Sequence, residues 1–131
     1  MLPDTVKLYN YVGENGDVAV YLTATIKNCR CIVQRKTSVS TKGSSPSDGV
    51  NLYIFQHGST VTDTDGNPLT YVPCQDWDRL ADKSKCWTLH SGNSCKDYFT
   101  VNGEPAKFAI TGFVRRFAGS PRMWHFEVSG E

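Results

Sequence analysis

The chain has 131 residues, one domain by ordinary size, and 14 Lys and Arg stand against 13 Asp and Glu. That balance argues against bulk electrostatic attraction to nucleic acid or an anionic membrane and leaves room only for a local basic patch. A chain this long buries roughly two-thirds of its unfolded surface, enough for a core without metal or disulfide. No run approaches the ~20 apolar residues of a membrane span. The opening Met1-Leu2-Pro3-Asp4 lacks the regions of a signal peptide, which points to synthesis in a cytoplasm and no membrane partner.

Strand signals dominate in chain order. Residues 6–12 are rich in aromatic and β-branched side chains, and Gly13-Glu14-Asn15-Gly16-Asp17 follows as turn chemistry. Val18, Val20, Leu22, Ala24 and Ile26 then alternate with Ala19, Tyr21, Thr23 and Thr25. This period-2 pattern makes the first two runs a hairpin. Residues 29–36 read as a third strand, with Cys29, Cys31 and Val33 on one face. Residues 37–49, dominated by Ser, Thr, Gly, Lys and Pro, read as a mobile loop within a single domain spanning residues 1–131.

Residues 50–55 are a strong strand, Asp65-Gly66 marks a turn, and residues 69–72 form a short strand before Pro73. Trp77, Leu80 and Ala81 have helical spacing, which predicts a two-turn helix over residues 75–83 with Cys74 or Asp76 as a weak cap. A strand is expected to begin at Trp87-Thr88-Leu89, and another covers residues 97–101, ending at Asn102-Gly103. Phe108, Ile110, Gly112 and Val114 alternate with Lys107, Ala109, Thr111 and Phe113. Trp124, Phe126 and Val128 alternate with Met123, His125 and Glu127. The sum is a mostly β fold: a small β-barrel or compact sandwich of seven to nine short strands with one short helix.

Chemistry-bearing motifs are few. Asp63-x-Asp65-Gly66-Asn67 puts its glycine at the fourth position, where a calcium loop needs it at the sixth, so it reads as a turn. Cys29, Cys31, Cys74, Cys86 and Cys95 are odd in number and widely spaced, which suits small core residues better than a disulfide framework. A zinc site from Cys74, Cys86, Cys95 and His90 has no C-x-x-C knuckle behind it. None of His57, His90 and His125 sits in a catalytic signature, and no glycine-rich phosphate loop occurs. Asp76, Asp78 and Asp82 read as a solvated helix face. No catalytic residue, cofactor or metal is expected.

Arg115, Arg116 and Arg122 with Trp124 flank a turn at Ala118-Gly119-Ser120-Pro121. Arg and Trp are favoured anchors of protein interfaces, and the near-zero net charge favours protein over nucleic acid as the partner. Two candidate contact regions follow: Ser38, Lys42 and Ser45 in the polar loop, and Arg115, Arg116, Ser120, Arg122, Trp124 and His125 around this turn. A competing class is a small-molecule or carbohydrate binding module, with Tyr9, Tyr11, Trp77, Trp87 and Trp124 lining a site.

Several segments resemble a known family. Arg79-Leu80-Ala81-Asp82-Lys83-Ser84-Lys85-Cys86-Trp87-Thr88-Leu89 is similar to a stretch in small structural proteins of siphophages and prophages from Gram-positive bacteria. The ending Gly119-Ser120-Pro121-Arg122-Met123-Trp124-His125-Phe126-Glu127-Val128-Ser129-Gly130 resembles that family's ending. There a Gly-Ser-Pro turn leads into a short strand with a histidine, an aromatic residue and E-V-x-G. Leu8-Tyr9-Asn10 and Ser38-Val39-Ser40-Thr41-Lys42-Gly43 fit the same pattern. The family's apolar strand after the W-T-L run is interrupted here by Ser91-Gly92-Asn93-Ser94-Cys95. The resemblance implies a non-enzymatic virion protein of the head–tail connector, head-closure or minor capsid type. It would assemble with copies of itself in a ring and with portal, connector, capsid or tail proteins, with passing contact to genomic DNA.

Overall fold

A computed structural model describes residues 3–34, 49–91, 96–117, 119–120 and 123–131. Strand β1 (Asp4–Asn15) and strand β2 (Val18–Gln34) form the expected hairpin. Its two-residue turn begins at Gly16, whose φ of 65° suits the twist of the flanking strands. The predicted third strand does not stand alone, because residues 29–34 continue β2. The join is a bulge at Asn28, which takes φ 58° and is skipped in the pairing of Thr5 with Lys27 and Asp4 with Cys29. The extra residue reverses the side-chain parity, so Ile26 and Cys29 both point into the core and are fully buried.

Beyond Asn28, β2 changes partners. Strand β3 (Gly49–Phe55) pairs with residues 30–34, and the short strand β4 (Thr60–Thr62) pairs with residues 25–27. A clasp holds this fork. Ser59 Oγ donates to the Asn28 carbonyl at 2.7 Å and accepts from the Phe55 N–H at 3.0 Å. Strand β5 (Thr70–Tyr71), the one-turn helix α1 (Cys74–Trp77) and strand β6 (Cys86–Trp87) form an excursion in which β5 and β6 pair in parallel. The helix is shorter than the periodicity predicts. Its N-cap is Pro73, which offers no side-chain acceptor, so neither Cys74 nor Asp76 caps it.

Strand β7 (Tyr98–Val101) returns to β1, and a hairpin of β8 (Phe108–Arg116) and β9 (His125–Gly130) completes the fold. The antiparallel order β1-β7-β8-β9-β3-β2, closed by the β1–β2 pairing, is a six-stranded barrel with β4 added to β2. The mostly β barrel predicted from the sequence is therefore the observed fold. Its interior is filled by Val6, Leu8, Ile26, Leu52, Phe99, Phe126, Val128 and their neighbours. Trp87 and Leu89 from the excursion are buried in the same core, and Tyr71 packs 4.7 Å from the Phe126 ring. The excursion thus caps the end of the barrel where β1 and β8 finish. No described helix is long and apolar enough to cross a membrane.

Candidate functional site

The β8–β9 end carries the sequence-predicted contact residues that lie within the described part of the chain. Opposite pairing of Arg115 with Phe126 and Arg116 with His125 sets them on different faces of the ladder. The Arg115 guanidinium sits over three rings, at 5.6 Å from Tyr71, 4.8 Å from Phe117 and 5.2 Å from Phe126. The Gln56 side-chain amide, with its oxygen turned toward Arg115, accepts from the same group. Such a cation is held by aromatic faces instead of a carboxylate.

On the other face, Arg116 Nε donates to Glu127 at 3.4 Å, and His125 joins Glu127 at 3.1 Å and the Met123 carbonyl at 2.8 Å. These neighbours hold the Glu127 carboxyl below its usual range, His125 foremost. Trp124 packs edge-on to Phe117 at 5.0 Å, and Ser120 is exposed with its carbonyl accepting from the Met123 N–H at 2.8 Å. Phe117 is 54% and Met123 59% exposed, so two large apolar side chains stand free beside two arginines. Neither Phe117 nor Met123 was among the residues singled out from the sequence. Both belong to the strand pattern, and only the end of the barrel wall leaves them uncovered. Ser38, Lys42, Ser45 and Arg122, and the whole of residues 37–48, lie outside the described residues.

A buried polar network joins the cap to the barrel. Asp97 is 2% exposed and accepts from the Tyr11 N–H at 2.8 Å, Asn10 Nδ2 at 2.9 Å and His90 Nδ1 at 2.7 Å. Asn10, also buried, donates to the Thr88 carbonyl at 2.9 Å and accepts from the Thr88 N–H at 3.2 Å. His90 reaches Asp78 through Nε2 at 2.9 Å and meets the Trp77 ring at 5.4 Å. The hydrogen bond to Asp97, with that to Asp78 also contributing, raises the His90 pKa to about 9 against the opposing effect of burial. At neutral pH it is an imidazolium donating to both carboxylates, with no lone pair left for a metal or a proton. Asp78 is therefore part of this network, which corrects the reading of all three helix carboxylates as merely solvated. Among the described residues no group of three or more His, Cys, Asp or Glu is arranged to hold a metal ion.

The expected exposed aromatics divide. Trp77 and Trp87 are buried and line no open site. Tyr9 and Tyr11 are half-buried on the outer face of the barrel, where Tyr98 stacks on Tyr9 at 4.5 Å and Tyr21 meets Tyr98 edge-on at 5.1 Å. Lys96 lies 4.7 Å over Tyr11 and Lys107 5.0 Å over Tyr98. Tyr21 and Tyr98 join this cluster through strand pairing, which no local sequence signal reveals. Asp63 forms the expected turn, its Oδ1 accepting from the Asp65 and Asn67 N–H groups at 2.9 Å. Cys29 is buried, and Cys31, Cys74 and Cys86 are half-buried free thiols, while Cys95 lies outside the described residues.

Comparison with curated proteins and with solved structures returned no match. Across residues 1–131 the chain matches a family of unknown function, DUF6751, and it belongs to that family.

Proposed function

We propose that this chain is a non-enzymatic structural subunit of a bacteriophage virion, of the head–tail connector, head-closure or minor capsid class. It acts by contact with copies of itself in a ring and with neighbouring portal, connector, capsid or tail proteins. It is made in the host cytoplasm and resides in the finished particle. The observation that carries this reading is the exposed pair Phe117 and Met123 beside Arg115 and Arg116 at one end of a filled barrel. Free apolar surface ringed by arginine is what a protein contact uses. The segments that resemble siphophage structural proteins include this same end. His90, the histidine with the most strongly raised pKa, is held between two carboxylates as a cap-to-barrel tie and is not presented to a substrate.

The test is mass spectrometry of purified particles from a host producing the phage that encodes this chain. Expected is the protein in ring-like copy number, with neckless or tailless particles when its gene is disrupted. Normal infectious particles without it would sink the reading.

The tyrosine cluster favours a second reading, a carbohydrate-binding face built on Tyr9, Tyr11, Tyr21 and Tyr98. Titration calorimetry against a panel of cell-wall glycans decides it. Saturable heat lost in Tyr9→Ala supports it, and no heat removes it.

A further inference from the structure

The β1–β2 hairpin runs past the barrel wall. Val18 and Val20 continue the same stripe that places Ala24 and Ile26 in the core, yet Val18 is 68% and Val20 40% exposed. Beside them, Val12 sits at a register shift and is 37% exposed. Among the described residues β4 covers β2 only at residues 25–27, so the edge of β2 above that point is unpaired. This edge opens on a cleft of about 290 Å³ whose floor includes Tyr21, Leu22, Leu69 and Cys86 and whose rim carries Asp63 and Asp65. No basic residue lines it. The hairpin tip adds Glu14 and Asp17, and residues 12–20 hold no basic residue. Lys96 pairs with Glu14 at 3.3 Å, which leaves Asp17, Asp63 and Asp65 as the acidic surplus.

The β8–β9 end is the counterpart: apolar Val114, Phe117 and Met123, with Arg115 and Arg116 and no acid in residues 114–117. In the ring order, β7 separates β1 from β8 and β3 separates β2 from β9. The two hairpins therefore stand on opposite flanks of the barrel, and strand direction puts both turns at the same end. One flank presents apolar knobs with positive charge. The other presents an apolar stripe and cleft with negative charge.

We propose that the Phe117–Met123 end of one copy docks on the Val18–Val20 stripe and acidic cleft of a second copy, head to tail. The inference deepens the assembly reading above and rests on it for its biological setting. Two unlike surfaces on opposite flanks are the requirement for a heterologous contact, which propagates from copy to copy and closes when the rotation permits. A self-matching contact would instead juxtapose like charges, arginine on arginine or carboxylate on carboxylate.

The experiment uses the full chain in reducing buffer, with mass read by light scattering and sedimentation over a wide concentration range. Wild type is expected to grow with concentration to a discrete oligomer. Val18→Asp and Phe117→Asp, both at exposed positions and checked for fold by circular dichroism, are each expected to stay monomeric. Mixed one to one, they retain one intact knob and one intact cleft and should form a dimer that grows no further. A second pair, Asp17→Lys with Asp65→Lys against Arg116→Glu, should behave alike without adding charge to an apolar patch.

Wild type that is monomeric at every concentration overturns the proposal, as does an oligomer that both single variants leave intact. Mixtures that remain monomeric while wild type assembles overturn the head-to-tail geometry. None of these outcomes touches the virion reading, which particle mass spectrometry decides separately.

Discussion

At the scale of single residues, the tie between cap and barrel concentrates in His90, Asp97 and Asn10. The His90 pKa is raised to about 9 from 6.5, so the folded state holds its proton more tightly than the unfolded chain does. The stabilisation is therefore fully present below pH 6.5 and is lost as pH rises through about 9. Each pH unit across that window is worth about 1.4 kcal/mol, which puts the whole effect on the order of 3 kcal/mol. Thermal unfolding followed from pH 6 to 10 should show the midpoint falling across that window, and His90→Gln should flatten the fall. A proton-detected titration of the His90 ring near pH 6.5 would contradict the geometry.

Asn10 satisfies both backbone groups of Thr88 and one oxygen of Asp97. Asn10→Ala leaves buried partners unpaired and should cost about 1–3 kcal/mol in urea unfolding. A loss within error would mean that water replaces the amide. None of this network was legible in the sequence, because its members lie 78 and 87 residues apart, and only the cap brings them into reach.

At the scale of elements, the period-2 patterns of residues 18–26, 50–55 and 123–128 were legible because one face of each is buried and the other is not. The continuation of β2 through residue 34 was not, since a bulge breaks the period without any glycine or proline to mark it. The helix over residues 75–83 was over-read. Its spacing is right, but Trp77 alone is buried from it, and a turn without a side-chain cap does not propagate. Strand β4 was missed because three residues carry no pattern.

The close approach of β9 to β7 makes its own prediction. A Cβ on Gly130 would lie 2.7 Å from the ring of Phe99, which is fully buried and stacked on Phe108 at 5.6 Å. Gly130→Ala should destabilise by about 1–3 kcal/mol through overpacking. The paired variant Gly130→Ala with Phe99→Leu, measured by the same denaturant midpoint, should recover part of that loss. Additive losses would place the strain elsewhere.

At the scale of the whole molecule, the barrel is closed without residues 37–48: β2 and β3 pair directly from Gln34 with Gly49 onward. Deleting residues 38–47 should therefore leave the unfolding midpoint within about 1 kcal/mol of wild type, since loop length changes closure entropy only slowly. Under the proposed function the same deletion should impair particle assembly. Normal particles would remove that segment from the contact surfaces and leave the two hairpin flanks as the assembly elements.

The sequence by itself determined the class of fold. Alternation of apolar and polar residues is a local consequence of burying one face of a strand, and it reads out wherever the strand lies against the core. It also located the β8–β9 turn, since arginine and tryptophan beside a Gly-Ser-Pro turn are a local signal. Only the tertiary structure decided which residues of those patterns remain uncovered. Val18 and Val20 carry the same alternating pattern as Ala24 and Ile26, and Phe117 and Met123 resemble core residues in every local respect. They are exposed because the hairpins outrun the barrel wall, and how far a strand extends beyond its neighbours is a property of the whole sheet.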